Sequence, residues 1–507
     1  MKLKKRFIWL LAFAALGLIL IAFLPFNTDP TIEIVSNGTT VSGDATEPTQ
    51  LEDITEDITS YTIAHNSTQA HLTATTRTFP NGDEMIYIEA QTDGYFEPIT
   101  MALPLAGEAA IQYTADTPVP ELYPHRKARK LDDPLSTTLR YIENGDRSAL
   151  FGTAVYFNDI SHTYDNGETS RVVEFQRESP AVSYDQGWKL EIEFKPGEQQ
   201  FSTWLMVSKD SLIENEQLFH HVHAVAADEM RWVTPDTLYS HGVNSIFPKT
   251  ENAFVRSLVR QSGRASAVAL EQQPARIWEN INRHQFASLE AARNEDGLWH
   301  SDYTSTWLER AYDFGPEYID TRHNDNIFRS QLSRAKHFGY NDYAEERAVY
   351  ADFLIEMADQ GYTIPAGSGY YLIDYFNMER KTHASLNHAL SLMNYQYDAF
   401  RHLGDEKYLD SAEAQFTALL HTGTGWVNDE NTIIYQMRPD GTMTGQDYNL
   451  VTYYDLLYTK KLRQELELAP SAILERLIAV KEQNLNAKDI PVEGTLDNVE
   501  QFVGLIE

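Results

Sequence analysis

From Gly367 to Leu403 the chain reads GSGYYLIDYFNMERKTHASLNHALSLMNYQYDAFRHL, and here acid–base chemistry would be sought first. Glu379, His383 and Asn387 recur every four residues, so on a helix they would share a face. Arg380 stands three residues before His383, and Tyr370, Tyr371 and Tyr375 fill the preceding loop. An acid, a base, a cation and an amide would thus meet at a helix start, whose free N–H groups favour an anionic ligand. That set suits proton transfer on a negatively charged substrate. The plainer reading is a hydrogen-bonded structural histidine in a chain that holds 28 tyrosines.

A second polar knot lies upstream. Trp299, His300, Asp302, Tyr303 and Trp307 precede Asp320, Arg322, His323, Asn324 and Asp325. Aromatic rings interleaved with polar groups suit a sugar groove, where rings stack on pyranose faces and polar groups select hydroxyls. Arg322 is the preferred partner for a substrate carboxylate because a guanidinium binds one through two parallel hydrogen bonds. Tyr303 and His323 join it as binding candidates. The competing reading is a helix capped by Asp320 or Thr321. His125 to Lys130 form a basic segment, read as a solvated loop or as a contact for an anionic substrate.

These groups need a scaffold. Leu386, Leu390, Met393, Tyr397 and Phe400 recur at helical spacing, which predicts a half-buried helix over 379–403. Further helices are expected near 274–293, 304–314, 323–338, 342–359, 405–420, 449–467 and 471–485. Gly339, Gly361, Gly404 and Gly423 fall just past their ends, where a left-handed residue is needed. Eight helices in antiparallel pairs would form an open solenoid or an incomplete α/α toroid. Upstream, HLTATTRTF and EMIYIEAQT flank Pro80-Asn81-Gly82-Asp83, a hairpin signal. SALFGTAVYF and RVVEFQRE enclose Asp165-Asn166-Gly167, and GWKLEIEFKPG and QQFSTWLMVS follow. Short strands between turn residues imply an antiparallel sandwich or barrel.

The expected class is therefore α+β and multidomain: an N-terminal transmembrane helix, an antiparallel β domain, then an α/α-toroid-like domain of helical hairpins. Lys2, Lys4, Lys5 and Arg6 precede an apolar run from Phe7 to Phe26, close to the ~20 residues that cross a bilayer. No small-residue cleavage site follows, so an uncleaved single-pass anchor is expected, with the remainder outside the cytoplasm. The domains read as 1–27 tip and anchor, 28–59 acidic spacer, 60–232 β domain and 233–507 helical domain. A formal charge of −33 excludes a nucleic-acid partner, which would need a basic footprint. With no cysteine there is no thiolate nucleophile or disulfide. No metal-binding motif stands out, and nothing calls for a metal or cofactor.

The stretch from Gly369 to about Leu420 resembles the C-terminal domain of the D-glucuronyl C5-epimerase family. The matching pieces are Gly369-Tyr370-Tyr371, Thr382-His383 followed by Leu386-Asn387, and the helix GDEKYLDSAEAQF. The resemblance implies a helical catalytic domain, an acidic polysaccharide as substrate, and tyrosines as acid–base groups. Tyr371 matches the family's aromatic run. Where the family has a second tyrosine just before the Thr-His pair, this chain has Met378-Glu379-Arg380-Lys381, so Glu379 or Tyr375 takes that part. Epimerisation removes the proton alpha to a carboxylate and returns one to the other face, which needs two acid–base groups and a cation. The expected catalytic set is Tyr371, Tyr375, Glu379 and His383, with Arg322, His323, Arg380, Asn387, Tyr370 and Tyr303 binding substrate. The alternatives are a polysaccharide lyase, a glycoside hydrolase using Asp302 or Glu309 with Asp374 or Glu379, or a non-catalytic glycan-binding scaffold. The oligomeric state is left open, a homodimer being one option.

Overall fold

The computed structural model describes residues 19–23, 33–37 and 40–503, apart from 66–67, 95–97, 104, 106, 116–133, 146, 180–181, 185–187, 243–245, 341–342 and 344. Two antiparallel sheets face each other in the N-terminal half. The larger runs in spatial order 239–241, 253–256, 173–179, 154–159, 200–208, 84–92, 68–78, 54–65 and 40–45. The smaller runs 19–23, 33–37, 99–102, 188–192 and 182–184. Alternation along the strands decides what each face meets. Ile86 and Ile88 of strand 84–92 pack with Met101, Leu190 and Ile192 of the smaller sheet. Their neighbours Met85 and Tyr87 pack with Phe219, Ile277 and Trp278 from helices on the opposite face. The larger sheet is thus buried on both sides at its centre, and the expected Asn81-Gly82 hairpin is present with Gly82 at φ 81°.

Among the described residues eleven α-helices follow in chain order: α1 Glu216–Glu229, α2 Leu258–Gln261, α3 Arg264–Gln272, α4 Arg276–Ala291, α5 Thr306–Tyr312, α6 Thr321–Phe338, α7 Arg347–Asp359, α8 Leu386–Leu403, α9 Glu406–Thr422, α10 Val451–Glu465 and α11 Ala472–Ala487. Every helix expected from periodicity is present. The first three were not expected. In α1 the sequence FHHVHAVAA mixes histidine into the apolar face, which blurs its period. Gly339 and Gly404 close α6 and α8 in the left-handed conformation, at φ 80° and 72°.

α8 is the hub of the helical half. It packs against α6, α7, α9 and α10, and residues 386–399 are all buried. This corrects the expectation of a half-buried helix: several of its polar groups find partners inside the protein. Asn394, for example, donates to the Asp455 carbonyl and Gln396 to that of Ala351.

Two further expectations meet a different structure. Within 28–59, read as a spacer, residues 33–37, 40–45, 49–51 and 54–65 are strands, because alternating Ile and Thr residues can join a sheet despite the acidic composition. Most of the apolar run Phe7–Phe26 and its basic flank lie outside the described residues, as does His125–Lys130. The described part, Ile19–Phe23, is a strand paired with Glu33–Asn37 rather than a helix. Its β-branched and aromatic residues suit extended structure as well as a helix. Among the described residues no helix is long and apolar enough to cross a membrane.

Candidate active site

Residues 374–383 form a closed loop whose two ends face one another. The Asp374 N–H donates to the His383 carbonyl, and Thr382 Oγ1 both accepts from the Tyr375 N–H and donates to the Tyr375 carbonyl. This brings Asp374 and His383 side by side although nine positions separate them. At the loop tip Asn377 Oδ1 takes the N–H groups of Glu379 and Arg380, a side-chain turn that competes with helix formation. α8 therefore begins only at Leu386, capped by Ser385. The expected face of Glu379, His383 and Asn387 does not exist, because the first two precede the helix.

Asp374 is the centre of the cluster. It is fully buried, and one carboxylate oxygen accepts from the Ser385 N–H at 2.8 Å. His383 Nε2 lies 3.1 Å from the other oxygen, and His388 Nδ1 lies 3.7 Å from the first. Burial alone would raise this carboxyl, but the two imidazoles and the Ser385 bond outweigh it and hold the group below its ordinary value. His388 is pushed down by burial, with the Asp374 charge opposing, and its Nδ1 also meets Thr321 Oγ1 at 3.0 Å.

His383 is enclosed by aromatic rings. Trp307, Tyr312, Tyr375 and Tyr435 have ring centres 5.4, 5.8, 5.7 and 6.0 Å from it. The Tyr312 hydroxyl lies 3.1 Å from His383 Nδ1. In the tautomer whose proton is on Nε2, the nitrogen nearest the carboxylate, Nδ1 is left to accept from Tyr312. The line Asp374–His383–Tyr312 is then a carboxylate, an imidazole and a hydroxyl in sequence. His383 is itself completely buried, whereas Tyr312 is half-buried and Trp307 is 38% exposed. Tyr312 is thus the member of the line that solvent reaches. Burial raises the Tyr312 and Tyr375 hydroxyls; the carboxylate of Asp374 adds to the first and that of Asp320 to the second. Arg438, exposed just past strand Ile434–Met437, is the cation whose charge opposes the rise at Tyr312.

Tyr375 and His383 come together as expected. Tyr371 does not join them. It is 2% exposed in the helical core, its hydroxyl donating to Thr422 Oγ1 and accepting from Trp426 Nε1, both at 3.0 Å, and burial pushes it up to about 12. Strand alternation turns Tyr370 the other way, toward Ser411. Gly369 is required here, since a Cβ would stand 2.2 Å from the Ala414 carbonyl of α9. Glu379 is exposed at the loop tip, and Arg380 pairs with Asp313 at 2.5 Å.

Arg322 is also not free. It donates from Nη1 to Asp455 and to the Asn387 carbonyl, both at 2.7 Å, inside the bundle. Asn387 is buried beside it and accepts from Ser385 Oγ. Tyr303, Asp320 and His323 line a separate small cavity with Trp299 and Asp302. Asp320 caps α6 through the His323 N–H, so the capping reading of that turn holds. Tyr312, His388, Tyr435 and Arg438 were missed. Only His388 had a local signal, a second histidine on the first turn after Thr382-His383; the other three arrive from separate segments. Among the described residues no group of three histidines or carboxylates is arranged to hold a metal ion.

No protein-family model matches the chain, and no curated protein matches it. Solved structures are similar to parts of it. A cellobiose 2-epimerase from Bacillus thermoamylovorans aligns at 11% identity and TM-score 0.35, covering 46% of this chain and 60% of that one, less than two thirds of its length. A family 76 glycoside hydrolase from a bovine Bacteroides thetaiotaomicron strain aligns at 10% identity and TM-score 0.35, over 79% of this chain and 75% of that one. An unsaturated glucuronyl hydrolase from a Bacillus species aligns at 12% identity and TM-score 0.35, over 56% and 72%. All three act on sugars by their names, and none of them is a D-glucuronyl C5-epimerase. At these scores the likeness carries no argument, and the reading below rests on the site's own geometry.

Proposed function

We propose that the protein is a carbohydrate-active enzyme working by proton transfer at a sugar carbon, and specifically an epimerase acting on the C5 position of hexuronate residues in an acidic polysaccharide. The observation that carries this is the line Asp374–His383–Tyr312 opening beside an exposed tryptophan. Tyr312 takes the C5 proton as its own passes to His383 Nδ1. Asp374 steadies the imidazolium that forms. Tyr375, whose ring meets the same imidazole edge-on, is the group that returns a proton from the other face. Trp307 offers a stacking surface for a pyranose ring, and Arg438 a guanidinium for the uronate carboxylate.

The hydrolase alternative has less support in this cluster. It requires a carboxylate that reaches the glycosidic bond, and of those named for it Asp374 is fully buried and Asp302 is buried and paired with Arg256 at 2.8 Å. Placement at the outer face of a cell membrane through Phe7–Phe26 belongs to the same proposal and is supported by the basic flank Lys2 to Arg6.

The test is NMR of uronate polymers incubated with the protein in heavy water. Deuterium should enter C5 without chain cleavage, and His383→Gln should abolish the exchange. Cleavage with unsaturated ends would replace the epimerase reading by a lyase. No exchange in any hexuronate polymer would end it.

A further inference from the structure

Exposed aromatic rings are few in this protein, and two of them are joined through His383. Among the described residues the exposed rings are Tyr184, Phe247, Trp307 and Tyr448. Apolar groups scattered singly over a surface need no explanation, whereas a series of them beside a reactive cluster marks a contact. Trp307 meets the His383 imidazole at 5.4 Å. Tyr435 meets the same imidazole at 6.0 Å and also touches Tyr448, the two tyrosine rings standing edge-on at 5.7 Å. No ring contact joins Trp307 to Tyr435 among the described residues, so these two approach the imidazole from different directions. Phe247 lies on the Trp307 side, since Ile246 before it is bridged to Ser305, the cap of α5.

Tyr448, 44% exposed, is held more firmly than a surface ring requires. Its carbonyl accepts from Lys481 Nζ, and Lys481 is buried in an ion pair with Asp447 at 2.6 Å. Thr452 Oγ1 donates to the other Asp447 oxygen at 2.7 Å. A buried ion pair adds little stability over apolar packing. What this one does is fix the main chain at Tyr448, between strand Met443–Gln446 and α10. A ring fixed before a ligand arrives loses little freedom when that ligand stacks on it.

We propose that the His383 cluster lies inside an open cleft that holds an internal stretch of a polysaccharide, with Trp307 against one sugar residue and Tyr448 against another further along the chain. Resting on the uronate-epimerase reading of this site, it adds that the enzyme works within a chain and not at its end. A site for chain ends closes on one side of the reacting sugar, but here the ring contacts leading away from the imidazole end on an exposed ring in both directions. The two platforms bind by stacking and supply affinity that grows with length, leaving selection to the polar groups around His383.

Binding and proton exchange are measured separately on the full chain, with disaccharide, tetrasaccharide and octasaccharide fragments of polyglucuronate and polygalacturonate. In isothermal titration calorimetry affinity should rise at least about tenfold from disaccharide to octasaccharide, because only the longer fragment covers both platforms. Tyr448→Ala, which leaves the Lys481 bond to the main chain in place, should lose that gain, and Tyr448→Phe, which keeps the ring, should retain it. A gain with length that Tyr448→Ala abolishes, without deuterium entering C5, would keep the cleft and end the epimerase reading. Deuterium exchange with equal affinity for disaccharide and octasaccharide would keep the epimerase and overturn the cleft. Binding of no fragment, or the full gain with length in Tyr448→Ala, overturns the cleft as well.

Discussion

The Tyr312 hydroxyl stands 3.1 Å from His383 Nδ1, and Tyr312 belongs to α5, seventy-one positions upstream. Since His383 has no exposed surface, any proton it handles must pass through this hydroxyl. Tyr312→Phe should therefore lower deuterium exchange into a uronate polymer by about 100-fold or more, the usual worth of a positioned acid or base. The fold should persist, since Phe keeps the stacked ring. Wild-type exchange rates in the variant would remove Tyr312 from the chemistry.

Tyr371 gives the contrasting expectation. Its hydroxyl is shared between Thr422 and Trp426 in the core. Tyr371→Phe leaves the Trp426 N–H buried without a partner and should cost about 1–3 kcal/mol of stability. Exchange should continue at close to the parent rate under conditions where the variant is folded. Urea denaturation and the NMR assay on the same sample separate the two effects, and a large rate loss at unchanged stability would return Tyr371 to the active site.

These two tyrosines show how far the sequence could be read. Helices announced themselves because apolar period and terminal glycines agree, as with Gly404 after α8. The region of the site was also legible, since Tyr375 and His383 do meet. Its membership was not. Helical spacing wrongly joined Glu379 to His383 because the Asn377 turn and the Thr382 hydroxyl hold that segment as a loop. The hydroxyl beside His383 comes from a helix far upstream, and no local pattern reports such a contact. Arg322 drew attention as a guanidinium able to bind a carboxylate through two hydrogen bonds, but Asp455, whose position opposite it depends on how α6 and α10 pack, already neutralises it.

Arg322 and Asp455 form a buried pair whose loss can be measured. Burial lowers the Arg322 guanidinium, but the charge and hydrogen bond of Asp455, with the charges of Asp325 and Asp320, together outweigh it and leave it above its ordinary value. Arg322→Met strands the Asp455 carboxylate in the bundle and should cost about 3–5 kcal/mol, while Arg322→Met/Asp455→Leu should recover much of that loss. Chemical denaturation of the two variants checks this. A double variant no better than the single would mean that the Arg322 bond to the Asn387 carbonyl carries the stability.

The pH dependence of stability should be steep on the acid side, and His284 is one cause. It is buried on α4 beside Tyr87, Arg77 and Ser288. Burial, then the charges of Arg77 and Arg334, push it well below 6.5. Below its unfolded value the unfolded chain binds a proton that the folded chain refuses, so stability falls as pH drops from about 6.5, at up to about 1.4 kcal/mol per pH unit for this residue. His284→Gln should flatten the slope between pH 6.5 and 5 by that amount. An unchanged slope would show that His284 takes up its proton without unfolding.

Arg438 provides the last test, because it separates binding from proton transfer. It is exposed, close enough for its charge to act on Tyr312, and forms no ion pair among the described residues. A guanidinium in that state keeps its full capacity for a substrate carboxylate, which Arg322 and Arg380 have already given to Asp455 and Asp313. If it holds the uronate at rest, Arg438→Gln should raise KM by about tenfold or more with kcat little changed, since an interaction equal in ground and transition states affects only binding. If it instead stabilises charge that develops at the carboxylate as C5 loses its proton, kcat should fall with KM little changed. Either split places the carboxylate beside Arg438, and a variant with both constants unaltered would exclude it from the site.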